Sequence, residues 1–541
     1  MLKFKVFVLF LVVFSTINAQ TEDAWIYFKD KPSKSTFLAA PLTMLSQRSL
    51  DRRTKYAIPV DEKDVPVETT YITQISEANG ITVKAKSKWL NAVHVQGTQL
   101  NIQNLKSLSS VSYIEFANKS LGVYSKSQEQ IISKSGKDKL KYTTDFNYGQ
   151  AANQLKMLKG EILHEHNFSG SGMYIAIMDA GFPGVNTFSP FQRIRDNNQI
   201  LGGYDYVNRN ATFYTGNSHG TAVLSTIAGY VDNQFVGTAP DASFYLFITE
   251  DNDNEVPLEE SLWVEAAEEA DRLGVDVLTT SLGYSVFFDE AKYNYTYSAM
   301  DGKTAFITRG AEIAFSRGML LVNSAGNEGD DPWHYMNAPA DAPSVLSIGA
   351  VNATGVIASF SSFGPTADNR VKPDVCAQGA SVYVINSAGT IATSNGTSFS
   401  GPVMAGMVTC LWQAFPNKTN AEITQLVKES AHLYNNPTAQ EGYGIPNFED
   451  LYNKLLLEKE VARVLEALVY PNPTSDELLF TMPEEVVSID VAVFDTLGKI
   501  ILQKEIKQND PVLNIQQLSN GLYVVQIKHG NIHKTVKIVK K

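Results

Sequence analysis

The sequence predicts a mostly parallel, doubly wound α/β sheet, preceded by a small α/β domain and followed by an all-β sandwich. Three observations predict it. Apolar runs in the middle of the chain are continuous rather than alternating, as in strands covered on both faces. Helical segments separate these runs, the signature of repeated strand-helix-strand units. After Tyr470 the pattern changes to alternating strands joined by short turns, with no helix evident. A chain of 541 residues is also too long for one ordinary domain.

The elements follow in chain order. Lys3 and Lys5, the apolar run Val6–Phe14 and the small residue Ala19 form the three-part pattern of a secretory signal peptide, residues 1–19. The run is too short for a membrane anchor. In the next region, residues 20–141, strands are expected at Ala24–Phe28, Ile81–Ala85, Ala92–Val95 and Ser112–Phe116. Helical segments are expected near Val67–Asn79 and Leu100–Leu108. Lys126–Lys141, rich in Lys, Ser and Gln, reads as an exposed linker. The central region, residues 142–466, has buried strands at Tyr174–Met178, Ser243–Ile248, Val275–Thr280, Met319–Asn323 and Val345–Ala350. Glu259–Leu273 reads as a helix with Leu262, Ala266, Ala270 and Leu273 on one face and Gly274 as its stop. Thr304–Arg317 reads as another. The last region, residues 467–541, opens with Tyr470-Pro471-Asn472-Pro473 and has strands at Ser488–Asp495, Lys499–Glu505 and Leu522–Lys528.

The formal net charge of −12 argues against a nucleic-acid partner, which usually leaves a basic face. Cys376 and Cys410 are the only cysteines. Both lie in apolar stretches and read as buried thiols, a single bridge between them being the alternative.

Four residues carry chemistry. Asp179 ends a buried strand, where open sheets place their sites; alone it reads as a cap. His219 opens a helix in Ser218-His219-Gly220-Thr221, well placed to reach across a cleft; alone it reads as an exposed or satisfied histidine. Ser398 lies in Gly396-Thr397-Ser398-Phe399 at a helix start; a serine there is usually a cap, but the position also suits a nucleophile, because the dipole and free N–H groups stabilise developing negative charge. Pro402 is expected in the first turn of that helix, where its missing N–H is harmless. Asn327, in Ser324-Ala325-Gly326-Asn327 after a strand, offers an amide to an oxyanion; alone it reads as a turn residue.

Together, in the order Asp, His, Asn, Ser, these motifs resemble the subtilisin family of serine peptidases. Phe360–Pro365 and Lys372-Pro373-Asp374 also resemble family segments. The resemblance implies a secreted endopeptidase in which Ser398 attacks the scissile carbonyl, His219 moves the proton and Asp179 orients the imidazole. Asn327 and the Ser398 N–H would bind the oxyanion. It further implies that Ser281-Leu282-Gly283 pairs with an extended peptide substrate and, with Ser324-Ala325-Gly326, lines the primary pocket. Tyr284 and Phe287 hint at an apolar preference. Phe399 departs from the family's usual Met, and Leu224 and Ser225 from its usual small pair, which bears on specificity. A catalytically silent surface binding protein on the same fold is the rival reading.

No cofactor is expected for the chemistry. Asp251–Glu255 and Glu328–Asp331 read as solvated acidic loops, with structural calcium as the alternative. The front region suggests a propeptide that inhibits its own enzyme until cut; an accessory domain is the rival. The last region resembles the C-terminal sorting domain of type IX secretion, through Tyr470–Pro473, the Asp495…Gly498 turn, Gly521–Val524 and the Lys-rich end. That implies the secretion machinery as partner and export to the surface or medium of a Gram-negative bacterium. A carbohydrate-binding or adhesive module is its rival.

Overall fold

A computed structural model describes residues 20–121, 146–466, 468–483, 486–529 and 532–541. The expected signal peptide and the linker Lys126–Lys141 lie outside the described residues. The chain divides into two compact units, with the break between Phe448 and Glu449.

The front domain packs within the first unit. Its longer elements are β1 (Thr21–Phe28), α1 (Gln47–Lys55), α2 (Thr69–Ser76), β2 (Ile81–Ser87), β3 (Ala92–Thr98), α3 (Gln99–Asn104) and β4 (Val111–Phe116). The strands form one antiparallel sheet in the order β2-β3-β1-β4. One sheet face packs on α2 and α3 through Ile26, Val93, Val95, Ile75 and Ile102. Trp25, Tyr27, Ala85 and Trp89 join a different cluster, shared with the central helices. β1 therefore buries both faces, Ala24, Ile26 and Phe28 on one and Trp25 and Tyr27 on the other, which is why it is apolar from Ala24 to Phe28.

The central region contains β5 (Tyr174–Asp179), β6 (Ile200–Asp205), α4 (His219–Ala228), β7 (Ser243–Ile248), α5 (Leu258–Leu273) and β8 (Val277–Thr280). It continues with α6 (Phe306–Ser316), β9 (Leu320–Ser324), β10 (Leu346–Val351), β11 (Val375–Gln378), α7 (Thr397–Ala414) and α8 (Asn420–Glu429). The strands make a seven-stranded sheet in the order β11-β10-β9-β8-β5-β7-β6, parallel at every pairing. β8 and β9 are buried at every residue, as strands covered on both faces are. α5 stops at Gly274, whose φ of 81° is the left-handed value that favours glycine. α7 packs on α4 and on β8 to β11. α5 packs on α6 and on β2 of the front domain. From β5 the chain runs out to β6 at one edge, returns through β7 and crosses to β8 on the other side of β5, so the end of β5 is the switch point where open sheets hold their sites.

The second unit takes in most of α9 (Phe448–Glu466), with β12 (Leu468–Tyr470), β13 (Glu477–Thr481), β14 (Ser488–Phe494), β15 (Ile500–Lys507), β16 (Val512–Asn514), β17 (Gly521–His529) and β18 (Ile532–Lys540). A three-stranded sheet, β12-β13-β16, and a four-stranded sheet, β15-β14-β17-β18, enclose Leu478, Val491, Val493, Val525 and Ile527. β12, β13 and β16 have five residues or fewer, too short for a clear alternation.

Candidate active site

Asp179 is the last residue of β5 and is 3% exposed. Its Oδ1 accepts hydrogen bonds from the Ala180 N–H at 2.8 Å and from His219 Nδ1 at 2.8 Å. His219 is the first residue of α4. Its backbone N–H donates to Asn217 Oδ1 at 2.9 Å, so Asn217 does the work of a cap at this helix start. Gly220 lets α4 approach β5: a Cβ there would stand 2.9 Å from Asp179 Cβ and 2.5 Å from the Gly181 carbonyl oxygen. The Asp179 charge raises the His219 pKa above its ordinary 6.5, burial lowers it, and their hydrogen bond raises it again. The net direction is upward. With Nδ1 turned to the carboxylate, Nε2 is left for the proton of a reacting group.

Ser398 is the second residue of α7 and is 9% exposed. Pro402 lies inside the helix, beyond the first turn where the sequence places it. Its ring nitrogen cannot donate to the carbonyl four residues back, which is that of Ser398. The Ser281 hydroxyl donates to this carbonyl instead, at 2.9 Å. The Ser398 hydroxyl lies 3.5 Å from the Ser281 carbonyl oxygen. The Ser281 side chain is thus turned toward α7, and Ser281 is 9% exposed.

Asn327 leaves β9 through Ala325 and Gly326, the latter at φ 116°. Its Oδ1 accepts from the Thr397 N–H at 2.8 Å and lies 3.0 Å from Thr397 Oγ1. An N–H must be met by the amide oxygen, which leaves Nδ2 as the free donor. Thr397 is fully buried and its hydroxyl also lies 3.2 Å from the Gly326 N–H. Nothing in the residue pattern around Gly396-Thr397-Ser398 distinguishes Thr397 from an ordinary helix-start threonine; its role emerges only when β9 and α7 meet.

Thr280 and Asn323 are register partners at the ends of β8 and β9, so Ser281-Leu282-Gly283 and Ser324-Ala325-Gly326 leave the sheet side by side. Asn323 Nδ2 donates to the carbonyls of Leu282 at 3.1 Å and Ser324 at 2.8 Å. Ser324 and Ala325 are buried, while Leu282, Gly283 and Gly326 are half-buried. Tyr284 is 1% exposed and its hydroxyl donates to Glu250, so its ring is part of the core, whereas Phe287 is exposed. Phe399 lies with its ring centroid 5.9 Å from that of His219.

The Asp251 carboxylate accepts from the Asp253 N–H and Asn254 Nδ2. Glu328 accepts from Ser362 and Asn337, and Asp330 from Ser359. Among the described residues, no group of three or more His, Cys, Asp or Glu is placed to hold a metal ion. Both cysteines are free and buried, and burial pushes both thiols up.

Comparison with known proteins gives three family matches. Residues 23–134 match the Peptidase S8 propeptide domain of Bacteroidota, residues 170–445 the subtilase family, and residues 468–541 the secretion-system C-terminal sorting domain. Subtilisin NAT of Bacillus subtilis subsp. natto is 28% identical over 365 residues, which are 67% of this chain and 81% of that protein. Subtilisin of Bacillus pumilus is 29% identical over 298 residues, 54% of this chain and 96% of that one. The crystal structure of MycP1 with its N-terminal propeptide removed superposes with a TM-score of 0.44 at 20% identity, over 56% of this chain and 98% of that one. The front domain is therefore a propeptide domain, and residues 468–541 are a sorting domain that directs the protein to the cell surface or medium by type IX secretion. With the central match spanning the whole seven-stranded sheet and both helix starts described above, the chain belongs to the subtilase family and is a secreted serine endopeptidase made as a precursor.

Proposed function

We propose that Ser398, His219 and Asp179 form the catalytic triad, with Asn327 and the Ser398 backbone N–H as the oxyanion hole. The observation that carries this reading is the 2.8 Å hydrogen bond between His219 Nδ1 and Asp179 Oδ1. It fixes the tautomer that leaves Nε2 as the base. Ser398 Oγ attacks the peptide carbonyl while its proton passes to His219 Nε2. The resulting imidazolium gives that proton to the leaving amine as the C–N bond breaks. Water then repeats the sequence on the acyl-enzyme and frees Ser398. Asp179 stabilises the imidazolium in both halves. The chemistry needs no cofactor.

Substrate binds as an added strand along Ser281-Leu282-Gly283, with Ser324-Ala325-Gly326 bounding the primary pocket. The adjacent exits of β8 and β9 support this. The substrates are proteins or peptides, and the propeptide acts as an intramolecular inhibitor before its release. The mature domain is bounded by the propeptide linker on one side and the sorting domain on the other.

A fluorophosphonate label tests the reading. It should attach to mature wild-type protein and not to Ser398→Ala. Absence of label on folded wild-type protein would instead favour a silent binding protein on this fold.

A further inference from the structure

Between β1 and α2 the front domain carries a long segment that its four-stranded sheet does not use. This arm, which includes α1, reaches to the C-terminal end of α5 and the start of β8. That is the end of the sheet opposite Asp179 and Ser281, about 20 Å away by the rise of a six-residue strand.

The last carbonyls of a helix have no partners of their own. Here the arm supplies them. The Ser46 N–H donates to the Arg272 carbonyl at 2.9 Å. Arg48 Nε donates to that of Gly274 at 3.0 Å. Arg52 donates to those of Asp271 and Val275. Asp271 is fully buried, with one carboxylate oxygen on Arg52 and the other on Arg53 at 2.7 Å. Arg53 also holds Asp64 of the arm at 2.8 Å, and Arg317 at the end of α6 faces Asp61 and Asp64. Arg48 pairs with Asp276 and lies 3.7 Å over the Tyr174 ring. Tyr56 donates to the Pro416 carbonyl at 3.1 Å and stacks on Trp412. Inside the front domain, Lys31 Nζ braces the arm by donating to the carbonyls of Glu62, Val65 and Lys88.

We propose that residues 41–65 are a second clamp, remote from the cleft, that keeps the cut propeptide on the enzyme and so prolongs latency. The socket it grips is the C-terminal end of α5 with Asp271 and Asp276, a site for three arginines. The inference rests on the inhibitor reading above, because latency is what the clamp prolongs. A propeptide held at two remote places leaves only when both contacts open. The first cut in the linker then does not by itself free the enzyme. Removing one member of a buried, hydrogen-bonded charge pair acts mainly on the rate of release.

The test uses the full chain with a recognition site for an added protease placed within residues 126–141. In a Ser398→Ala background the added protease cuts the linker, and release of the front domain is followed by its loss of co-elution after dilution. Arg52→Ala/Arg53→Ala should speed release roughly 100-fold. Arg48→Ala, at a partly exposed position, should speed it about tenfold and serves if the double variant does not fold. With Ser398 intact, activity should appear earlier in the same variants and reach the wild-type level. Wild-type release rates in folded arginine variants would overturn the clamp alone. A cut wild-type complex that is active while the front domain still co-elutes would overturn the inhibitor reading and the latency claim with it.

Discussion

His219 is held by a carboxylate that is buried and by a backbone bond to Asn217. Replacing Asp179 by Asn keeps the shape but offers an N–H where an acceptor is needed, which favours the wrong tautomer. Turnover should fall about 10,000-fold with the fold intact. The pH profile follows from the same pair. In the proposed mechanism the neutral imidazole is the active form, and its pKa is raised, so kcat/KM should climb with pH through an apparent pKa above 6.5. Asp179→Asn should move that limb to lower pH; an unmoved limb would assign it to another group. The linkage sign is that of any histidine raised by folding. Its stabilisation is full below the unfolded pKa and is lost as pH rises through the folded one. At the oxyanion, Asn327→Ala should lower turnover about 100- to 1000-fold, the magnitude being one established within this same family. Near-normal turnover would remove Asn327 from the mechanism. Asp179, His219, Asn327 and Ser398 were legible because each motif has its own flanks. Thr397 and the Ser281 hydroxyl were not, because each acts on a residue from a distant part of the chain.

α7 joins Ser398, the proposed nucleophile, to the sheet, and Pro402 in α7 and Ser281 beyond β8 set how. Pro402 removes a helical donor and the Ser281 hydroxyl takes the freed carbonyl of Ser398. Ser281→Ala leaves that buried carbonyl unpaired. A loss of about 1–3 kcal/mol in chemical denaturation is expected, with turnover lowered as Ser398 loses its brace. Gly406 faces Thr238, whose Oγ1 would stand 1.9 Å from an added Cβ. Gly406→Ala should therefore cost about 1–3 kcal/mol through overpacking, readable as a lower midpoint in the same titration. The long central strands and α5 were predictable from continuous apolar runs and from Gly274. α1 was not, since Gln47–Lys55 is polar and carries no apolar stripe. Its start is capped by the Ser46 hydroxyl, and Arg52 and Arg53 anchor it on Asp271, more than two hundred positions away.

Over the whole molecule, the order of parts describes a route: a front domain on the enzyme, a peptidase, and a sorting domain. Secreted material should begin at a new N-terminus between about Lys119 and Tyr148, read by Edman sequencing; a mature chain starting near Gln20 would contradict removal of the propeptide. Deleting Tyr470–Lys541 should trap the protein in the periplasm. Normal export of the deletion would favour a binding role for the last unit.

The sequence by itself determined the fold class and the four residues proposed for catalysis, because buried parallel strands and reacting groups both write local patterns. It also marked Ser281 and Pro402 without their relation, placing Pro402 in a first turn that the helix had already passed. Only the tertiary structure decided how Ser281 supports Ser398, how Thr397 turns the Asn327 amide, and where the arm of the front domain ends. These are contacts between segments far apart in the chain. Their physical basis is the pairing of buried donors and acceptors, which leaves no period in the sequence of either partner.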